Sequence, residues 1–391
     1  MTWLMLTAER LLTPLEEIPG GAVILEDGRI TAVGRREAMT APAGTREIYA
    51  RGMTAIPGFV DAHIHGAGGR DVMEATTVAL SQVAQKVAQH GTTSLVATTI
   101  TASAEVTSRS LEGIARFVRE HSAPGVPGGA ASAEILGIHL EGPFLSQQQR
   151  GVHPPEWLAQ PTREGLKKLL AAANGCAKIL TIAPELPGAL ECVAAARAAG
   201  LVVALGHTNA TYAEAEAAVD RGARHAVHIF NAMRPFAHRE TGVLGAALTD
   251  PRMTAEVIAD GVHVDGPAIR LLLAAKGFNS VLLVSDATAA TGMPDGNYLL
   301  GNLEVSVAGG VSRNSEGRLA GSTLTLDRAV RNVVALGVPL NAAVQMATLN
   351  PARLLGMEGR KGALIPGADA DIVLLDPELR VTGVMTRGVG L

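Results

Sequence analysis

Two histidines stand two residues apart in the apolar stretch 56–66, whose sequence is Ile-Pro-Gly-Phe-Val-Asp-Ala-His-Ile-His-Gly. The Pro-Gly pair near its start and Gly66 at its end are typical of a short buried strand. Because side chains alternate along a strand, His63 and His65 point to the same side. Two imidazoles on one face of a strand can bind a single metal ion. Two surface histidines without a metal could show the same spacing. The choice between these two interpretations therefore depends on the residues in the rest of the chain.

The same association of an apolar run with a histidine or a carboxylate recurs along the chain. Eight apolar runs in the middle of the chain are predicted strands, and six of them lead into such residues at the same end. These residues are His63 and His65, Glu141, His207, His228, Asp260 with His263, and Asp286. Random placement would not put them all at one end of their strands, so the pattern favours a metal site.

The elements that carry these residues lie in 55–366, where predicted helices stand between most of the predicted strands. The predicted strands are 56–62, 94–100, 134–140, 178–183, 201–205, 225–229, 254–259 and 280–284. The predicted helices are 76–90, 104–121, 163–174, 188–199, 213–221, 267–275, 323–335 and 341–355. This alternation predicts an α/β fold, a parallel (β/α)8 TIM-type barrel whose active site lies at the carboxyl ends of the strands. The connection 230–253 shows no clear long helix, and 292–321 is predicted to be an inserted loop or hairpin.

The two ends of the chain show short predicted strands and turns and lack the strand-helix alternation of the middle. Residues 22–33 alternate apolar runs around Asp27-Gly28, which predicts a β-hairpin, and short strands also follow residue 371. We therefore expect a small β-sandwich domain built from 1–54 and 367–391, with the barrel as a separate domain over 55–366.

Composition limits the function classes. A net charge of −4 gives no basic field for nucleic acid or a membrane surface, and no apolar run approaches the length of a membrane span. The two cysteines, Cys176 and Cys192, lack metal-ligand spacing and are too few for a disulfide framework. These features predict a cytoplasmic protein without nucleic-acid or membrane partners.

The predicted ligands suit a divalent transition metal. Glu141, His207 and His228 are the expected ligands, and His63 and His65 are available for a second metal bridged through Glu141. A carboxylate with several imidazoles favours zinc, with Fe(II), Co(II) or Mn(II) also possible, at one or two ions per chain. Such an ion lowers the pKa of a bound water to about 7.

A hydrolytic water also needs a proton acceptor. Asp286 is the candidate, because it is the one carboxylate predicted at the end of the eighth strand. The competing interpretation of Asp286 is a helix N-cap or Asx turn. His153 lies in a loop above the third strand, where it could contact a substrate or simply be exposed. Arg239 lies in the loop after the sixth strand and could bind phosphate or carboxylate. The alternative is an ordinary solvated loop that carries a few charges.

The stretch 57–66 resembles the opening motif of the amidohydrolase superfamily, and 367–373 resembles its closing β-domain signature. Seven further motifs are similar, in order, to those of the branch that deacetylates acetamido sugar phosphates. These motifs are 139–144, 206–210, 228–233, 238–240, 260–263, 285–288 and 319–322. The resemblance implies metal-dependent hydrolysis of the 2-acetamido group of N-acetylglucosamine 6-phosphate to glucosamine 6-phosphate and acetate.

The same resemblance implies a role for each matching residue. Glu141, His207 and His228 would hold the principal metal, with Asp286 as the acid/base and His153 on the acetamide carbonyl oxygen. The remaining substrate contacts implied by the match are Val152, Asn231, Ala232, Arg239, His263, Leu319, Ala320 and Gly321. The resemblance also implies a homodimer or an assembly of dimers, in which Arg239 reaches the phosphate of the neighbouring subunit.

Two alternatives stay open at this point. The first is a deacetylase for another acetamido sugar phosphate, such as N-acetylgalactosamine 6-phosphate, because no residue named above discriminates the C4 hydroxyl. The second is a non-catalytic barrel that serves as an interaction scaffold.

Overall fold

The computed structural model describes residues 2–121 and 131–391. Strands β1 to β21 are Trp3–Leu12, Glu17–Pro19, Gly21–Glu26, Arg29–Arg35, Arg46–Pro57, Phe59–Ile64, Gly66–Ala67, Arg70–Asp71, Thr92–Thr99, Glu134–Glu141, Ala177–Ile182, Val202–Leu205, His225–Ala226, Thr254–Val257, Val281–Leu283, Gly296–Leu300, Leu303–Ala308, Val311–Asn314, Ile372–Leu375, Val381–Thr386 and Val389–Gly390. Helices α1 to α10 are Thr77–Ala88, Ala104–Glu120, Arg163–Ala173, Ala189–Ala198, Tyr212–Arg221, Gly242–Thr249, Gly266–Lys276, Leu326–Ala335, Leu340–Ala347 and Leu349–Leu354.

Eight parallel strands form the barrel, in the order β6-β9-β10-β11-β12-β13-β14-β15. β6, β9 and β10 are buried along their whole length, as expected for parallel strands that are covered on both faces. The backbone N–H of Asp286 donates to His63 O at 2.9 Å, and that of His65 donates to Ala287 O at 2.8 Å. These bonds join the end of β15 to β6 and close the sheet, so the predicted (β/α)8 barrel is confirmed.

The helices around the barrel begin at residues that can satisfy their first free N–H groups. The side chains of Thr76, Ser103, Thr162 and Thr211 each accept a hydrogen bond from the backbone N–H three residues further on. Thr211 and Glu214 complete a capping box at the start of α5. These caps fix where the chain leaves each strand-end loop, and the loops carry the site.

Three sequence expectations need correction. The connection 230–253 contains the helix α6, whose almost uniformly apolar sequence hides any helical period. The predicted helix 341–355 is divided into α9 and α10, because Pro351 lacks an N–H and its ring would clash with the carbonyl of Ala347. The sixth strand ends at Ala226, not at residue 229, so His228 lies in the turn that follows it.

The ends of the chain form one mixed sheet in the order β21-β20-β19-β5-β1-β3-β4, with β2 paired to β1. β3 and β4 are the predicted hairpin, and Asp27 and Gly28 both adopt positive φ in its turn. Alternate side chains of β1, β3, β5 and β19 pack into one apolar core. The predicted small β domain from both termini is therefore confirmed.

The predicted insertion at 292–321 contains a three-stranded antiparallel sheet, β16-β17-β18. Its apolar side packs with Met73, Ile100 and Ala320 in a small separate core. This packing places the end of the insertion, residues 318–321, over the barrel mouth. Among the described residues, no helix has the length and apolar character to cross a membrane.

A buried ion-pair network joins the barrel to the terminal sheet. Lys361, whose side chain is fully buried, places Nζ 2.8 Å from Glu134 Oε2, 3.0 Å from Asp369 Oδ2 and 2.7 Å from Asp371 Oδ2. Arg360 also binds both Glu134 and Asp369. Because Glu134 opens β10 and the two aspartates precede β19, the network fixes one domain on the other.

Candidate active site

Residues from five barrel strands meet at the carboxyl-terminal rim, where parallel barrels carry their active sites. Two groups of buried side chains could each hold a metal ion, because the potential ligand atoms within each group all lie within 4.8 Å of one another. They are Glu141 with His207 and His228, and His63 with His65 and Asp286.

The first group gathers around one carboxylate oxygen. His207 Nε2 lies 3.2 Å and His228 Nε2 3.0 Å from Glu141 Oε1, and the two nitrogens are 3.1 Å apart. Burial would raise the pKa of Glu141, but the nearby His63 and the hydrogen bonds from surrounding imidazoles hold that pKa well below its usual value. Glu141 is therefore an anion at neutral pH.

The second group shares Glu141 with the first. His65 Nε2 lies 3.3 Å from Glu141 Oε2 and 3.2 Å from Asp286 Oδ1. His63 Nε2 lies 3.4 Å from Glu141 Oε1 and 3.6 Å from Asp286 Oδ1. Glu141 thus stands between the two groups, as the sequence predicted for a bridging ligand.

The tautomers of these imidazoles show that the residues fit a divalent cation. His65 Nδ1–H donates to Thr98 O at 3.0 Å, and His207 Nδ1–H donates to Gln149 O at 3.0 Å. Each Nε2 is therefore the ring nitrogen that faces the carboxylate oxygens and is placed to bind a cation. His63 Nε2 is buried without a hydrogen-bond partner. Two buried carboxylates with several imidazole nitrogens form a donor set that a divalent cation would fit.

The backbone at the rim is strained where ligands emerge. His207, His228 and Asp286 have φ of 47°, 26° and 49°, a region that residues other than glycine rarely adopt. Gly206 precedes His207, and a Cβ at this position would lie 2.0 Å from Val227 Cγ2. Only glycine lets β12 pass this close to its neighbour, so Gly206 helps to set the direction of His207. Such strain clusters at functional sites.

Asp286 is held as a base beside both groups. Its carbonyl accepts a hydrogen bond from Ser322 N at 2.7 Å, which joins it to the loop above. Burial would raise the pKa of Asp286, but the hydrogen bond from His65 and the charges of His63 and His65 hold it below the usual value. The carboxylate is therefore ionised at neutral pH and can take a proton. It is also close enough to His63 and His65 to serve as a ligand of the second group.

His153 presents a hydrogen-bond donor to the cavity. The backbone N–H of Thr101 donates to His153 Nδ1 at 3.3 Å, so Nδ1 is an acceptor and the proton is on Nε2. His153 Nε2 lies 3.7 Å from Glu141 Oε2. Burial lowers the pKa of His153 to about 4, which keeps the ring neutral at pH 7.

A cavity of about 260 Å³ opens above these groups. The sequence-predicted residues that line it are His65, Glu141, Val152, His153, His207, His228, Asn231, Ala232, His263, Asp286, Leu319 and Gly321. His63 lies beneath the lining, fully buried. His263 donates from Nδ1 to Asp260 Oδ2 at 2.7 Å, which aims its other nitrogen away from that carboxylate.

Two predicted substrate residues lie outside the cavity of this chain. Ala320 is fully buried in the core below the insertion. Arg239 is exposed on the loop after β13. An Arg239 that serves the neighbouring subunit would be exposed in this way, and the structure of a single chain leaves that role as a prediction.

Sequence reasoning missed two residues. Glu256 on β14 is fully buried and contacts His63, and the signal for it was a lone acid inside an apolar strand. Arg318 lines the cavity and its Nη1 donates to Gly151 O at 3.1 Å, which no motif indicated. Among the described residues that line the cavity, Arg318 alone carries a permanent positive charge.

Two further buried histidines lie beside the site. His139 Nε2 lies 2.7 Å from Thr181 Oγ1, and burial together with the charge of His63 lowers the pKa of His139 to about 3. It is a buried neighbour of the site and belongs to neither ligand group. His225 Nε2 lies 3.0 Å from Glu256 Oε2, below the site.

The closed barrel and the two ligand groups at its carboxyl rim define a metal-dependent hydrolase of the barrel class. The model of the amidohydrolase family matches residues 54–390. The chain belongs to the amidohydrolase family.

Individual relatives are similar over nearly their whole length. The N-acetylgalactosamine-6-phosphate deacetylase of Escherichia coli O157:H7 is 38% identical over 385 residues, which is 98% of each chain. The N-acetylglucosamine-6-phosphate deacetylase of Vibrio furnissii is 37% identical over 368 residues, 93% of this chain and 88% of that protein. A mutant of N-acetyl-D-glucosamine-6-phosphate deacetylase from Mycobacterium smegmatis, solved in complex with N-acetyl-D-glucosamine-6-phosphate, aligns with a TM-score of 0.92 at 40% identity and covers 100% of this chain and 99% of its own.

Proposed function

We propose that this protein hydrolyses the acetamido group of N-acetylglucosamine 6-phosphate to glucosamine 6-phosphate and acetate. The observation that carries the proposal is the convergence of Glu141, His207 and His228 beside Asp286 in a cavity that His153 also lines. Relatives with this activity and near full-length similarity support the choice of substrate.

The chain's own residues supply most of the reaction geometry. A divalent cation, for which zinc suits the donor set best, would be held by the two groups and would polarise water and the amide carbonyl when bound. Asp286 takes a proton from the attacking water while the oxygen of that water forms a bond to the acetyl carbon. His153 Nε2–H donates to the carbonyl oxygen, on which negative charge develops. The C–N bond then breaks, and Asp286 delivers the proton to the departing amine.

Acetate release is the direct test. Purified protein with zinc is expected to release acetate from N-acetylglucosamine 6-phosphate in proportion to glucosamine 6-phosphate formed, and removal of metal by a chelator should abolish the release. Restoring zinc, iron, cobalt or manganese singly identifies the metals that work. No release with any of them, from protein that contains metal, would contradict the proposal.

The galactosamine epimer is a second candidate, favoured by the relative that is 38% identical and carries that name. A panel of both epimers, each with and without the 6-phosphate, separates the two. A higher kcat/KM for the galactosamine substrate would transfer the assignment to that sugar. The scaffold alternative predicts less than about half an equivalent of transition metal per chain, with no gain when metal is added.

We also propose a cytoplasmic homodimer in which Arg239 reaches the phosphate bound to the partner subunit. Support comes from the exposed loop of Arg239, which also carries Phe236 with 55% of its surface exposed. Both cysteines are buried and unpaired, as is usual in a reducing compartment.

Loss of the phosphate contact should appear in KM. We expect Arg239→Ala to raise KM for the 6-phosphate substrate about tenfold or more, with little change for the sugar without phosphate, because a charge-assisted hydrogen bond contributes about 1.5–3 kcal/mol. Arg318→Ala is the matched comparison, since Arg318 lines the cavity of the same chain. If only Arg318→Ala shows the phosphate-dependent rise, Arg239 is not the phosphate contact.

Subunit mixing tests the contribution across the interface. Coexpressed Arg239→Ala and Asp286→Asn chains form mixed dimers in which one site has an intact Asp286 and receives an intact Arg239. The kcat/KM of the mixed dimers is expected to be well above that of either variant alone, because one site per mixed dimer is intact. Mixed dimers whose kcat/KM does not exceed that of the Arg239→Ala dimer would show that Arg239 acts within its own subunit.

A further inference from the structure

Glu256 is an acid in the middle of a buried barrel strand. Its side chain has no exposure, it lies on β14, and it does not line the cavity. Each carboxylate oxygen has a partner near the site. Oε1 lies 2.5 Å from His63 Nδ1 and accepts from His228 N at 2.9 Å, while Oε2 lies 3.0 Å from His225 Nε2. A buried carboxylate is costly, so one with these contacts calls for a function.

The contact with His63 fixes that ring for metal binding. An ionised carboxylate only accepts hydrogen bonds, so His63 Nδ1 carries the proton and Nε2 keeps its lone pair toward Glu141 and Asp286. His65 and His207 are oriented by neutral backbone carbonyls. A charged carboxylate behind an imidazole makes its other nitrogen a stronger donor than a carbonyl does. Glu256 therefore favours His63 as a ligand over its two neighbours.

The contact with His228 reaches the other group. Glu256 Oε1 accepts the backbone N–H of a residue whose φ is 26°, and so stabilises the turn that presents His228. His225 supports the carboxylate from below, and its own Nδ1 lies 2.8 Å from Thr254 Oγ1. One buried side chain thus holds a ligand of each group.

We propose that Glu256 is a positioning residue, which orients His63 and the turn that presents His228 for cation binding. Its effect should be largest on the cation that His63, His65 and Asp286 would hold, which is the second of the two that the donor set allows. The inference rests on the metal chemistry of the proposed function and not on its substrate. Metal content tests it, whereas acetate release tests the function, so the two can fail separately.

Metal binding by Glu256→Gln is the first test. Wild-type protein, stripped and then titrated with Co(II) or Zn(II), is expected to bind two equivalents per chain. Glu256→Gln should bind the first equivalent with an affinity close to the wild type, because the amide oxygen can still accept from His228 N. It should bind the second about 10–100-fold more weakly, which is the usual effect of removing a charged partner from behind a ligand. The absorption of Co(II) and elemental analysis after desalting both report the count. Asp327→Asn, which removes a buried carboxylate at the start of α8, is the control and should retain two equivalents.

A double-mutant cycle separates positioning from general stability. If Glu256 acts through His63, His63→Gln should weaken the second equivalent, and adding Glu256→Gln should weaken it little further. A merely structural Glu256 would give additive losses and would lower the affinity for both equivalents alike.

Three results would overturn the proposal. They are a wild type that binds one equivalent, a Glu256→Gln protein that binds two with wild-type affinities, and additive losses in the cycle. Should Glu256→Gln not fold, Glu256→Asp keeps the charge but withdraws it from His63 by one methylene. Glu256→Asp is expected to lose the second metal equivalent. Binding of two metal equivalents with wild-type affinities by this variant would also contradict the proposal.

Discussion

Asp286→Asn is expected to lower kcat for acetate release by about a hundredfold or more. The amide side chain can occupy the same space at the end of β15, but it cannot take the proton of the attacking water. His65 and His63 keep the Asp286 side chain ionised and therefore able to accept a proton. The neutral amide of the variant lacks this ability. KM should change much less than kcat, since the phosphate end of the substrate does not contact this residue in the proposed mechanism.

Two controls show whether a loss of turnover comes from the missing proton acceptor and not from loss of metal or of stability. Metal analysis of the variant should still show the ion held by Glu141, His207 and His228, because their mutual contacts do not involve Asp286. Asp71→Asn is a matched control, since Asp71 is a buried carboxylate that accepts from Met73 N and Gly301 N outside the cavity. Turnover of Asp286→Asn near the wild-type value would rule out Asp286 as the proton carrier.

Lys361→Met should destabilise the protein by about 3–5 kcal/mol, the usual cost of removing one partner from a buried ion-pair network. The methionine can fill the space of the lysine stem, but Glu134, Asp369 and Asp371 would lose the ammonium that lies within 3.0 Å of each. Arg360 would keep its contacts with Glu134 and Asp369, but Asp371 would lose its ion pair with Lys361. The urea midpoint of unfolding is the measurement, and it should fall markedly.

A surface ion pair provides the control for this effect. Lys168 Nζ lies 2.8 Å from Glu164, but both side chains are about three-quarters exposed. Lys168→Met should leave the urea midpoint within error of the wild type, because solvent screens such pairs. If Lys361→Met were equally silent, the network would not hold the barrel on the terminal sheet.

The barrel and most ligands could be predicted because the signals are local. Each strand is a short apolar run, and a parallel barrel brings the ends of all its strands to one rim. Glu141, His207 and Asp286 could therefore be assigned to one site without any knowledge of which strands are neighbours. His228 lies beside Glu141 and His207, but in a turn and not in the predicted strand. The left-handed turn after Ala226 leaves no sequence signal.

Other parts of the site depend on contacts between distant segments. Glu256 gains its role from His63, which lies 193 residues away along the chain. Arg318 reaches the cavity only because the inserted sheet folds back over the barrel mouth, against Gly151. No periodicity or motif encodes either approach, since both follow from the closure of the barrel and the packing of the insertion.

The terminal sheet imposes an order on synthesis. β5 pairs with β1 on one side and with β19 on the other, and about 315 residues separate the two segments that carry these strands. At about 5–20 residues per second, a ribosome takes roughly 15–60 s to deliver β19. During that interval β5 presents an unpaired edge of the kind that joins to other chains. The nascent chain is therefore most prone to self-association just before its last strands emerge, and chaperone capture should peak there.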